Sequence, residues 1–309
     1  MNEQSPLIPT LPQGTPPEDL VPIGAPGGLD AAINPLGAEL WFLRDRDGGH
    51  LLWNGNPDIW SGRAPILFPI VGRLRDDSYR HDGHVYRLPR HGFARHARFT
   101  PGAHDDHHAL FRLEDNAETR AAYPFAFALT ISYAITGNTL TIGAEVANRG
   151  DTPMPFSFGF HPALRWPLPQ GGLRAAHHIL FDRPEAPDIA RLDSNGLLAR
   201  SEPSPLEGQE LRLRDALFEQ DALIFPEVNS HAFTYTSPGG PAIRLQTENL
   251  PDLGIWTKPD ADFICIEPWQ GHADADDFSG DIFQKPGVIV LPPGEVWKAS
   301  MSLTHERSA

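Results

Sequence analysis

The clearest pattern along the chain is a strict two-residue alternation in its middle. Phe125, Phe127, Leu129, Ile131, Tyr133 and Ile135 alternate with Ala126, Ala128, Thr130, Ser132, Ala134 and Thr136. After Thr136-Gly137-Asn138, the residues Leu140, Ile142, Ala144 and Val146 resume the same period. Successive strand side chains point to opposite faces, so this spacing predicts two strands joined by a tight Gly-Asn turn. A second hairpin is expected over residues 78–86, around Asp82-Gly83. Pro293-Gly294-Glu295 reads as a turn, with a strand over 296–303 after it. Further strands are expected over 39–43, 109–113, 231–236 and 242–246. The chain holds 32 prolines and 28 glycines, which keep the segments between breaks short and leave little room for helices. Short helices are expected only around 114–122 and 57–62. Residues 1–20 read as a flexible, proline-rich tail, and 21–309 as one domain with no clear linker. The fold class that follows is all-β and antiparallel, with two large packed sheets and few short helices.

Composition narrows the functional classes. At 309 residues, 40% hydrophobic and 21% charged, the chain can bury a sizeable core. A formal net charge of -15 argues against a general nucleic-acid binder and against an anionic membrane surface. A few local arginines remain compatible with a small anionic ligand. The single cysteine, Cys265, excludes an intrachain disulfide and a cysteine-rich zinc site. The N-terminus has no charged segment followed by an apolar one, and no stretch approaches the length of a membrane span. A cytoplasmic monomer or homodimer is expected.

Four islands carry the polar groups that suggest chemistry: Phe68-Pro69-Ile70-Val71-Gly72-Arg73, Pro89-Arg90-His91-Gly92-Phe93-Ala94-Arg95, Ser157-Phe158-Gly159-Phe160-His161-Pro162 and Phe263-Ile264-Cys265-Ile266-Glu267-Pro268-Trp269-Gln270. Each places ionisable groups at the end of an apolar run, where a strand is expected to stop. Alternation puts Phe263, Cys265 and Glu267 on one face and Ile264 and Ile266 on the other. Pro268, which has no N–H, is expected to end that strand. Glu267 then reads either as a general base tuned by partial burial, or as a carboxylate at a solvent-exposed tip or paired with an arginine. His161 shares a face with Ser157 and Gly159, small residues that leave space above them for a ligand. A histidine beside an apolar run also serves as a hydrogen-bonded structural residue. Gly92 permits close approach next to His91. Arg73 and Arg95 are forks suited to hydroxyls or a phosphate, or to salt bridges in a chain with 40 acidic residues. The run His104-Asp105-Asp106-His107-His108 fits no zinc spacing, and 272–277 lacks the features of a calcium loop. No histidine lies near Cys265 in sequence, and its strand position reads as a buried thiol rather than a nucleophile.

Taken in order, together with the closing Leu291-Pro292-Pro293-Gly294-Glu295, the islands resemble the aldose 1-epimerase (galactose mutarotase-like) family, in the bacterial branch that includes LacX-type proteins. The resemblance runs from about Gly27 to Leu303. It implies a β-supersandwich with a sugar site on one sheet, a sugar substrate, and no metal or cofactor. It implies Glu267 as the general base on the anomeric hydroxyl and His161 as the general acid on the ring oxygen. It also implies His91 as a second histidine near that oxygen and Arg73 as a substrate-orienting arginine. The family's substrate-binding aspartate matches Asp221, in Gln220-Asp221-Ala222-Leu223. Trp269, Trp256 and Phe160 are the rings available to stack on a sugar. A carboxylate and an imidazole are the ordinary pair for simultaneous proton acceptance and donation near neutral pH. The histidine island reads Gly-Phe-His-Pro, unlike the better-known galactose mutarotases, so galactose specificity does not follow. His91-Gly92-Phe93-Ala94-Arg95 is also similar to the hexose-6-phosphate branch, in which arginines hold the phosphate. Three readings stay open: an epimerase of free aldoses, a hexose-6-phosphate epimerase, and a non-catalytic sugar-binding protein.

Overall fold

The structure is a computed structural model that describes residues 17–307. Most of the expected tail, residues 1–16, lies outside the described residues. Leu20, at the other end of that tail, is already buried.

Two large antiparallel sheets dominate. The first has nine strands, and its centre is the alternating hairpin, Phe127–Thr136 and Thr139–Asn148, beside the long strand Val296–Glu306. The pairing runs in register from Thr139↔Thr136 to Asn148↔Phe127, as the alternation predicts. Its apolar set, Leu129, Ile131, Tyr133 and Ile135, is buried, while Ser132 and Thr136 stay exposed. The second sheet has eight strands. Its central strands are Leu223–Phe225, Asp252–Trp256, Phe263–Gln270 and Phe158–Phe160, with Ile66–Leu67 at one edge and Leu198–Pro203 at the other. A three-stranded sheet, Val21–Gly24, Asp30–Asn34 and Glu39–Arg44, adds to the core.

The core lies between the two large sheets. From the second sheet it takes Leu253, Ile255, Ile264, Ile266, Phe158 and Phe160; from the first, Leu129, Ile131, Ile142 and Leu303. The opposite face of the second sheet carries Phe263, Cys265, Glu267 and Trp269 in smaller, separate clusters. The two-residue period therefore splits one strand between a large dry core and a second surface with its own chemistry.

Helices are few. Among the described residues one α-helix, Ala117–Ala122, falls within the expected 114–122 segment, capped by Asn116. It begins late because His108–Glu114 remains strand. The 57–62 segment is not a helix. Trp60 and Ile59 donate to the Asn56 carbonyl in a turn, and Gly62 and the prolines around it give no helical continuation. Pro268 does not end its strand, which runs on to Gln270. Pro268 faces the point where the neighbouring ladder lapses. That ladder pairs Gly159↔Trp269 and resumes only at Ala163↔Cys265, so a missing donor there removes no sheet bond.

Candidate active site

The lapse in the ladder builds the site. Two residues on from Gly159 is His161; two back from its partner Trp269 is Glu267. The same register resumes at Ala163↔Cys265. His161 and Glu267 thus stand opposite each other across a gap with no sheet bonding, flanked by Pro162 and Pro268. His161 Nε2 lies 3.1 Å from Glu267 Oε2, with side-chain exposures of 8% and 2%.

A cavity of about 170 Å³ opens over this pair. That is below the roughly 300–1,000 Å³ of drug-sized pockets and suits one small polar ring. The indole of Trp269 forms part of its floor. A Cβ on Gly159 would come within 2.5 Å of Trp269 Cδ1, and one on Gly254 within 2.3 Å of its Cη2. Only glycine at both positions lets the indole lie against the sheet. Trp60 stacks on the His161 ring at 5.1 Å and 28°, and Trp256 meets the same ring edge-on at 5.9 Å. Asp221, Arg90, Arg95, His91, Leu192 and Ile224 complete the wall.

Two glycine-bearing islands lock together to place His91. Gly72 (φ 73°) and Gly92 (φ 71°) occupy the left-handed region, where a Cβ would meet Ala273 Cα at 2.6 Å and Phe68 O at 2.3 Å. His91 also has a left-handed backbone, φ 66°. Its N–H donates to Gly72 O at 2.8 Å, and its Nδ1 accepts the Gly72 N–H at 3.1 Å. A nitrogen that accepts carries no proton, so the proton of neutral His91 is on Nε2. Burial, helped by His161, Arg95 and Arg90, holds His91 well below the usual histidine range. It is a hydrogen-bond donor rather than a proton source.

Electrostatics set the pair. Burial pushes Glu267 well above the usual carboxylate range; the nearby Asp221 adds to this and Arg95 opposes it. Burial, with Arg95, lowers His161 to about 3. Both shifts favour a neutral pair holding one proton between them over an ion pair. Neither Glu267 Oε2 nor His161 Nδ1 has a well-directed hydrogen-bond partner. The pair therefore keeps hydrogen-bonding capacity that no described protein group uses, beside a cavity. Arg95 interacts electrostatically with two carboxylates, Glu267 and Glu39, and Glu39 Oε1 accepts the Arg63 and Ala64 N–H groups.

The cavity brings together six of the seven residues expected from the sequence: Glu267, His161, His91, Arg95, Asp221 and Trp269. Arg73 is placed elsewhere. Its guanidinium makes a two-pronged bond to Asp77, 2.7 Å on each arm, and its Nη1 donates to Asn195 O. Arg73 lines an adjoining groove that shares Arg90 with the cavity. Asp77 follows it by one turn-like step of four residues and captures the fork. Phe160 points into the core, not the cavity. Trp60 is the main lining residue that sequence reasoning misses. It lies in a segment that reads as helix, with nothing local to link it to a histidine 101 residues away in sequence.

The two-sheet antiparallel supersandwich, with a buried Glu267–His161 pair under an indole-lined cavity, is mutarotase-like in fold, and its relatives agree. The sequence profile described as aldose 1-epimerase matches residues 19–304, so the chain belongs to the aldose 1-epimerase family. The chromosomal protein LacX of Lactococcus lactis subsp. lactis is 31% identical over 287 residues, covering 89% of this chain and 96% of that one. A galactose mutarotase related enzyme from Lactobacillus acidophilus superposes with a TM-score of 0.88 at 31% identity, over 94% of this chain and 98% of the other. A galactose mutarotase-like protein from Lactobacillus casei gives 0.85 at 29%, over 93% and 100%. No helix among the described residues is long and apolar enough to cross a membrane.

Proposed function

We propose that the protein is an aldose 1-epimerase that interconverts the α and β anomers of a free, uncharged aldose. The observation that carries this reading is the 3.1 Å approach of Glu267 and His161 beneath a cavity sized for one ring. The anomeric oxygen and the ring oxygen of an aldose are bonded to the same carbon. Two groups this close together reach both.

The proton count closes without solvent. The pair starts with one proton. The resting pair is neutral, so the reaction runs through its minor form: with that proton moved to His161, the ionised Glu267 takes the proton of the anomeric hydroxyl while His161 gives its own to the ring oxygen. The C1–O5 bond breaks and an open-chain aldehyde forms. Rotation about C1–C2 presents the other face of the carbonyl. The reverse transfers close the ring and return the proton to His161. His91 Nε2–H supports the ring oxygen, and Arg95 is the cation that favours the ionised form of Glu267 from which the transfer starts. Asp221 is the acceptor for sugar hydroxyls. Trp269 offers an apolar face to the ring.

An uncharged substrate is favoured over a phosphorylated one by Arg73. A phosphate reading asks Arg73 and Arg95, with Arg90, to converge; Arg90 lines both the cavity and the groove of Arg73, but the Arg73 fork is already occupied by Asp77 and does not line the cavity. The test is polarimetry or exchange NMR on fresh α-glucose and α-galactose, wild type beside Glu267→Gln. Acceleration by wild type alone supports the reading; full activity in the variant overturns it. Acceleration confined to glucose 6-phosphate moves the substrate to the phosphorylated class. Sugar binding with no acceleration on any of these makes the protein a binder.

A further inference from the structure

Cys265 lies two residues before Glu267 on the same, outward face of Phe263–Gln270. Because register sets His161 opposite Glu267, one donor atom from each of His161, Cys265 and Glu267 lies within 4.8 Å of the others, and all three residues are buried. The sequence distance between Cys265 and His161 hides this grouping.

We propose that His161, Cys265 and Glu267 form a binding site for a thiophilic divalent cation, typified by Zn2+, at the base of the cavity. The donor set is one thiolate, one imidazole and one carboxylate, which suits zinc, whereas calcium and magnesium ask for oxygen. Zinc binds N and O donors at about 2.0–2.2 Å and sulfur at about 2.3 Å, so donors gathered on this scale need only small side-chain rotations. His161 and Glu267 line the cavity, which leaves a fourth position open toward it. Glu267 Oε2 is buried, and His161 Nε2, 3.1 Å away, is the one polar group that faces it among the described residues. An arriving ion displaces the thiol proton and the proton shared by the pair. Two positive charges enter and two leave, so the net charge of a buried site is unchanged. His161 Nδ1 lacks the second partner that dedicated zinc sites supply, which makes this a reversible site rather than a permanent one. The ion takes the lone pairs of both Glu267 and His161, so loaded protein does not turn sugar over.

The site stands on geometry alone, and its test needs no turnover. Co2+ is titrated into the protein and followed in the near-ultraviolet, where a thiolate-to-cobalt band appears only if sulfur is a ligand. Cys265 is the only cysteine, so the band reports that residue. The expected result is a band that saturates at one ion per chain, is removed by Zn2+, and is missing in Cys265→Ala and Cys265→Ser. Zn2+ affinity by calorimetry falls at least about tenfold in both variants, since loss of a ligand costs no less than loss of an outer partner. No thiolate band in wild type overturns the proposal. So does Zn2+ affinity that is unchanged in the variants, which would put the ion elsewhere, as on the exposed histidines of residues 104–108.

Discussion

Two buried pairs lie close to the cavity, one beneath it and one beside its lining residue Ala273, and they are built differently. Lys285 Nζ lies 2.8 Å from Asp274 Oδ1, with side-chain exposures of 1% and 4%. Each partner has further support: Lys285 donates to His272 O, and Asp274 Oδ2 accepts the Arg75 N–H. Asp274 also donates its own N–H to Arg73 O. This pair ties the segment after Ile66–Leu67 to the segment after Phe263–Gln270, next to the cavity-lining Ala273. The Glu267–His161 pair is as buried and nearly as close, but among the described residues no hydrogen bond from outside the pair reaches either side chain. Both pairs line cavities, and in each the contact oxygen, Asp274 Oδ1 or Glu267 Oε2, has no well-directed partner. What separates them is the bonding from outside: a pair held by further hydrogen bonds persists, and one without them is free to meet a ligand.

The sharpest way to test this contrast is to remove one member of each. Glu267→Gln should lower the rate of anomer interconversion by about 10²–10⁴-fold, the usual weight of a general base, measured by polarimetry. A loss smaller than tenfold would remove Glu267 from the chemistry. Asp274→Ala should instead act on stability. It leaves a buried lysine charge unpaired and should cost about 3–5 kcal/mol, read from urea unfolding. An Asp274→Ala protein as stable as wild type would show that the pair is ornamental.

The pH dependence of stability separates the two members of the Glu267–His161 pair. Folded Glu267 keeps its proton above 4.5, where the unfolded chain has lost it, so its contribution to stability falls as pH rises. His161 acts in the opposite sense. Between about 3 and 6.5 only the unfolded chain holds that proton, so stability rises with pH across that window. Glu267→Gln removes the first effect. Its stability relative to wild type should climb as pH rises above 4.5, in urea midpoints taken across pH. A constant difference would mean that the carboxyl is not held protonated by burial.

Smaller effects are expected further from the pair. Gly159→Ala puts a methyl against Trp269 and should cost about 1–3 kcal/mol as the indole is displaced, with KM raised more than kcat is lowered. Unchanged KM would remove Trp269 from the sugar's floor. Arg73→Ala should leave both turnover and KM for a neutral aldose unchanged, because its fork belongs to Asp77. A raised KM there would return Arg73 to the site.

Much of the fold and most of the site are legible in the amino-acid sequence alone. The hairpin of residues 127–148 follows from its own alternation, because burial of one face in a two-residue period fixes both strand and register. The four islands hold their residues at or near the cavity because each carries a local signal: a glycine needing close approach, or a charge on an apolar run. Arg73 is misplaced by sequence reasoning because its partner, Asp77, competes for the guanidinium, and local sequence does not reveal which acid wins. Trp60 and the 57–62 segment are misplaced because a short apolar run with a tryptophan looks the same as helix or turn.

What the sequence determined by itself was the periodicity: which residues share a strand face, and where glycines and prolines interrupt. These depend on the chain's own geometry over a few residues. What only the tertiary structure decided was the meeting of distant faces. Glu267 opposite His161, with Cys265 beside them, depends on two strands over 100 residues apart pairing in one register and lapsing at Pro162 and Pro268. The perturbed proton affinities follow from that meeting, because burial is a property of everything packed around a group and not of its neighbours in sequence.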